Sequence, residues 1–194
     1  MLIEARGGSF CCGGDKTPSP AEIFHTVRRF PYASTGRRTA ADVVREGRGS
    51  CTAKHLLLVD LLKSADVPAV IATVFGQFGA DISLPIPGMP AELQAMIRGG
   101  GVPDYHHYVI ATIDGRSVAL DATWHDALIP YGFPVNADWD GRGDTALALH
   151  GERVETDQDD LPAFKAALID KLTRTDRDRR ETFLRLLSAW IAGL

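Results

Sequence analysis

The chain has 194 residues, 45% of them hydrophobic and 24% charged, with a formal net charge of −4. That composition belongs to an ordinary globular protein long enough to bury a sizeable core, and its mild acidity argues against nucleic acid as the main partner. No apolar run approaches the roughly 20 residues needed to span a bilayer, and no membrane partner is expected.

The N-terminus "MLIEARGGSF" carries an early glutamate and no apolar signal core, so a cytoplasmic location is expected. Three cysteines, two of them adjacent at Cys11 and Cys12, make no disulfide framework and suit a reducing compartment. Residues 1–17 read as a flexible leader on a single domain spanning 1–194. Cys11 and Cys12 have no further ligand at close spacing, so no metal is assigned to them.

Helical signals follow. "SPAEIFHTVRRF" places Ser19 before Pro20 and Glu22, a capping box with proline at the first helical position, and Ile23, Val27 and Phe30 share one stripe. "TAADVVREG" repeats the arrangement with Thr39 and Asp42 and stops at Gly47, a residue suited to a helix C-terminus. In "GRGSCTAKHLLLVDLL", Ser50 is a good N-cap, Cys51 the first helical residue, and Leu57, Leu58, Leu61 and Leu62 the buried stripe. A strand is expected over 67–75. The Gly/Pro-rich segment 76–104 reads as an insertion with one short helix near 91–97, either a wall of the site or a surface decoration. "HHYVIAT" and "RSVALDAT" are two strands joined by Asp114–Gly115, a strong two-residue hairpin signal. Two amphipathic helices close the chain. Phe183, Leu186, Leu187, Trp190 and Ile191 read as core, and the "RTDRDRR" run as a solvated helix start. The fold class is α+β, with a sheet between helical ends.

Cys51 is the residue with chemistry to explain. A thiol at a helix N-terminus faces unpaired N–H groups and the positive end of the helix dipole, and both favour thiolate. A small buried cysteine would occupy the same position, so the neighbours must decide. A thiolate nucleophile needs a histidine, and the histidine needs an orienting acceptor. If Asp114–Gly115 closes a two-residue turn, side-chain alternation puts His106, Tyr108, Ile110 and Thr112 on one face with Ser117, Ala119 and Asp121. His106 is then a diagonal neighbour of Asp121, whereas His107 points to the more apolar face. A bulge at the turn would exchange the two histidines. His25 and His55 read as packing or surface residues, His125 as a pocket candidate, and His150 as a turn residue. Zinc ligation by Cys51, His106 and His107 lacks the usual short-range spacing. "NADWDGRGD" lacks the glutamate and spacing of a calcium loop.

These segments resemble the transglutaminase-like superfamily of papain-like Cys-His-Asp enzymes, in a bacterial branch. "TAADVVREGRGSCTAKHLLLVDLLKSADVPAVI" is similar to its Gly-x-Cys block, "HHYVIATIDGRSVALDATW" to its His and Asp blocks, and "YGFPVNADWDGRGDTAL" to a tail of the bacterial branch. The match covers roughly residues 36–150. By position, the family's catalytic groups fall on Cys51, His106 and Asp121, and Ser50, Tyr108 and Trp124 beside them are candidate substrate contacts. The resemblance implies a papain-like fold and acyl transfer on a peptide, protein or small amide or ester, hydrolytic or to an amine, with no cofactor. Ser50, Tyr108, Ile110 and Ala122 depart from the family's frequent residues, and the stretch before Cys51 holds no Gln or Trp to serve as second oxyanion donor. An acetyltransferase-like variant and an inactive binding or scaffold module are the competing expectations.

Overall fold

The computed structural model describes the backbone of residues 4–5 and 8–9 and all of residues 17–34, 36 and 38–194. The expected leader, with Cys11 and Cys12, therefore lies almost wholly outside the described residues. Within it, Glu4–Ala5 (β1) pairs antiparallel with Gly8–Ser9 (β2).

Local capping chemistry sets the first three helices. In α1 (Pro20–Arg28) the Glu22 N–H reaches Ser19 Oγ at 3.3 Å while the Glu22 carboxylate takes the Ser19 N–H at 2.7 Å, satisfying two otherwise orphaned donors. The helix stops short of Phe30 because Pro31 follows, and a residue before proline is driven out of the helical region. Thr39 and Asp42 cap α2 (Ala40–Glu46) in the same way, and Gly47 ends it in the left-handed conformation at φ 66°. In α3 (Cys51–Ser64), Ser50 accepts the Ala53 N–H, and the buried side carries Leu57, Leu58 and Leu62.

Four antiparallel strands form the central sheet in the order β5-β4-β3-β6: β3 (Ala69–Phe78), β4 (Val102–Ile113), β5 (Arg116–Leu120) and β6 (Gly151–Val154). The strand expected to end at residue 75 runs on to Phe78. Gly76 resembles a breaker in sequence, yet a Cβ there would lie 2.4 Å from the His150 carbonyl. It is a strand glycine imposed by the close approach of β6. Strand structure thus occupies both ends of the expected 76–104 insertion, which holds α4 (Ala91–Arg98) between them.

Side-chain alternation gives the sheet two cores. On one face Ala72, Val74, Phe78, Val102 and Tyr108 pack with Leu93 and Ile97 of α4 and with Phe183, Leu187 and Trp190 of α6 (Arg174–Ile191). Ile86 and Met89, from the Gly/Pro-rich stretch, are buried in the same cluster. On the other face Ile71, Val109, Ala111, Val118 and Leu120 meet Phe24 and Val27 of α1 and Leu57, Leu58 and Leu62 of α3. The last helices, α5 (Leu161–Asp170) and α6, return to the sheet. Each large apolar side chain so buried is worth about 1.5–3 kcal/mol. The result is the expected α+β class: the Cys51 helix packed on an antiparallel sheet, with helices at both ends.

Candidate functional site

The β4–β5 hairpin determines which histidine faces the site. Asp114 and Gly115 adopt φ 49° and 73°, the positive pair of a type I′ turn. Thr112 therefore pairs with Ser117, Ile110 with Ala119, and Val109 with Leu120, without a bulge. That register brings His106 to Asp121, and its Nε2–H donates to Asp121 Oδ2 at 2.7 Å. His107 lies on the opposite face, its ring stacked on Phe164 at 6.4 Å and both ring nitrogens without a hydrogen-bond partner. Burial, then Lys165 and the neighbouring histidines, hold His107 uncharged, at about 2.

Asp121 is held on all sides. Its Oδ2 also accepts the Ala148 N–H at 2.7 Å and its Oδ1 the Thr123 N–H at 3.0 Å. Its own N–H donates to Thr145 Oγ1 at 2.7 Å, and Asn136 Nδ2 donates to its carbonyl at 3.2 Å. The stretch 136–148, which contains the "NADWDGRGD" run, thus clamps this carboxylate. Burial favours the acid form, but the His106 charge and hydrogen bond hold Asp121 well below the usual carboxylate range.

With Nε2 turned to Asp121, Nδ1 is the His106 nitrogen left for Cys51, and the two groups favour each other's charged forms. Burial alone would push the thiol up; Lys165 and then His106 more than reverse this and bring it to about 6. Burial would likewise push His106 down, but Asp121 and then Cys51 raise it to about 10. The arrangement favours a thiolate–imidazolium pair.

Sequence reasoning missed several members of this neighbourhood. His55, one turn after Cys51 on α3, is fully buried, and its Nε2 accepts the Ala122 N–H at 2.8 Å. The same Nε2 stands 3.4 Å from Asp121 Oδ1. Lys54, also on α3, donates to three carbonyls: Arg28 at 3.0 Å, Phe30 at 2.7 Å and Thr123 at 2.8 Å. Three acceptors match the three N–H bonds of an ammonium, although burial, opposed by the Asp121 charge, brings the group down to about 7. Asp104, Lys165 and Arg180 form a second charged cluster. Arg180 Nε donates to Asp104 Oδ1 at 2.8 Å, and Lys165 Nζ stands 3.3 Å from the same oxygen. The "RTDRDRR" run is therefore not wholly solvated, since the Arg180 side chain is 12% exposed. Charge contacts this far apart in sequence leave no spacing signal.

Other expected site residues have evident structural partners. Ser50 caps α3. Tyr108 is buried in the first core, and Trp124 packs there on Tyr32 at 5.2 Å and Phe133 at 4.9 Å. His25 Nε2 contacts the Trp139 carbonyl at 2.7 Å, and His125 is buried with Nδ1 unpartnered. Possible ligand atoms of His55, His106 and Asp121 lie within 4.8 Å of one another. Those atoms already serve the Ala122 N–H, the His106–Asp121 bond and the Ala148 N–H, which makes the group a hydrogen-bonded relay and a poor cation cradle.

No family model matches the sequence, and no curated protein matches it. A crystal structure of a provisionally assigned cysteine protease from Cytophaga hutchinsonii aligns with 54% of this chain and 30% of its own, at 20% identity and a TM-score of 0.38. Among the described residues, no helix is long and apolar enough to cross a membrane.

Proposed function

We propose that this chain is a cysteine-dependent acyl-transfer enzyme of the transglutaminase-like type, acting hydrolytically on an amide or ester, with Cys51 as nucleophile, His106 as acid and base, and Asp121 as orienter. One observation carries the reading: the 2.7 Å His106–Asp121 bond engages Nε2 and leaves the basic Nδ1 for a thiol at the first residue of α3.

In the proposed reaction the thiolate adds to the carbonyl carbon and forms a C–S bond. The developing oxyanion is met by the Cys51 N–H, one of the donors with no partner inside the helix. The bond to the leaving amine or alcohol then breaks, and His106 gives that group its Nδ1 proton. Water next returns a proton to Nδ1 as it attacks the thioester. The C–S bond breaks, releasing the acid and restoring the thiolate. With Cys51 at about 6 and His106 at about 10, the competent ion pair forms as pH rises through the first value and is lost through the second.

The test is alkylation of Cys51 by iodoacetamide between pH 5 and 9, read by peptide mass spectrometry. Labelling should rise with a midpoint near 6; His106→Ala should abolish labelling near that pH and His107→Ala should not. Labelling that appears only where an ordinary thiol ionises, about 8.5, would sink the proposal. Turnover with and without added hydroxylamine then separates hydrolysis from transfer to an amine.

A further inference from the structure

Two elements beyond the Cys, His and Asp blocks deliver positive charge to the same place: Lys165 from α5 and Arg180 from α6. Their shared anchor, Asp104, lies two residues before His106 on β4, hence on the same face and about 7 Å along the strand. A single oxygen of that carboxylate, Oδ1, takes the Arg180 Nε–H, the Tyr105 N–H at 2.7 Å and the approach of Lys165. Lys165 is 2% exposed, yet its Nζ has no hydrogen-bond partner. The contact at 3.3 Å has the distance of an ion pair without the direction of a hydrogen bond. An ammonium buried with its donors unused is costly unless something else occupies the space beside it.

Arg180 is also half-engaged. Nε faces Asp104, while the Nη1/Nη2 edge takes no acceptor among the described residues. That edge is the fork that binds a carboxylate through two parallel bonds. Lys165 and Arg180 thus share one counter-charge, Asp104.

We infer that the Lys165–Arg180 pair recognises a carboxylate that the substrate carries close to its reacting carbonyl, clamped by the outer edge of Arg180. The inference rests on the acyl-transfer reading of Cys51. Two sources share this chemistry: the C-terminal carboxylate of a peptide, and an aspartate or glutamate side chain beside the bond attacked.

The intact chain is alkylated near neutral pH with iodoacetate and, separately, with iodoacetamide, reagents of similar size that differ by one negative charge. 2-Mercaptoethanol supplies the rate ratio of a thiol without cationic surroundings. The iodoacetate-to-iodoacetamide ratio at Cys51 should exceed that reference by about tenfold or more and fall toward it in Arg180→Gln; if that variant does not fold, Lys165→Gln carries the same comparison. A wild-type ratio no greater than the reference, or one unchanged by the substitution, overturns the inference. Fast iodoacetamide labelling without the anion preference defeats this inference alone, whereas slow labelling by both reagents defeats the acyl-transfer reading itself. Where the preference holds, protection of Cys51 by N-acetyl-glycylglycine against protection by N-acetylglutamate amide assigns the source of the carboxylate.

Discussion

Two buried carboxylates sit at this site, and their surroundings differ in kind. Asp121 is saturated: two backbone N–H groups and the His106 ring donate to its oxygens, and Thr145 and Asn136 hold its backbone. Asp104 faces two cations and a backbone N–H through one oxygen, and one of those cations is left without a hydrogen bond. Burial would raise Asp104, yet Lys165 and Arg180 pull it down to about 2. A saturated carboxylate is built to fix the orientation of something else. An outnumbered one leaves positive charge available to a visitor.

The contrast can be broken first at Asp121. Asp121→Asn keeps the shape but offers one acceptor oxygen where the carboxylate has two. In steady-state assays on an identified substrate, turnover should fall about 100-fold or more. His106 should lose its proton at lower pH than wild type, because the Asp121 charge is what chiefly raises it; a turnover profile with an unmoved alkaline limb would contradict this role.

Asp104→Asn should act on stability. Lys165 and Arg180 would lose their counter-charge, at a cost of about 3–5 kcal/mol in urea unfolding. Because Asp104 is depressed in the folded chain, its contribution is complete above the unfolded value of about 4. It is lost as pH falls through about 2, so the gap between wild type and variant should close over that range. An acid-independent gap would show that the charge is not responsible.

A third substitution, His55→Leu, leaves the Ala122 N–H without its acceptor and should cost about 1–3 kcal/mol, read as a lowered melting temperature. The smallest effect belongs to His107→Phe. This ring makes no hydrogen bond and stacks on Phe164, so stability should change by less than about 0.5 kcal/mol and Cys51 labelling should not change. A loss of either would mean that His107 has a polar duty its surroundings do not reveal.

The features legible in the sequence were those that act over a few residues. Ser19 with Glu22, Thr39 with Asp42, and Ser50 ahead of Cys51 mark helix starts because capping bonds span three positions. Asp114–Gly115 fixes the hairpin because only certain residues tolerate two successive positive φ values, and the register that puts His106 beside Asp121 follows from alternation alone. The misreadings were non-local. Gly76 reads as the start of a Gly/Pro-rich insertion because nothing nearby in sequence announces that β6 will press against it. Asp104, Lys165 and Arg180 come from β4, α5 and α6, and three charges brought together by tertiary packing have no common period. His55 escaped notice for a different reason: a histidine on an apolar helix has many plain uses, and its partner is a backbone N–H across the fold.

Lys54 bears on how the site opens. Its ammonium bridges the carbonyls of Arg28 and Phe30, at the end of α1, to that of Thr123, two residues beyond Asp121, from a position one turn past Cys51. Releasing any one of these segments strands a buried donor, so the three are coupled and should open as a single cooperative unit. Amide hydrogens at the start of α3 and around residues 121–123 are then expected to exchange with a common free energy. Thermal fluctuation would leave Cys51 and Asp121 either both in place or both displaced.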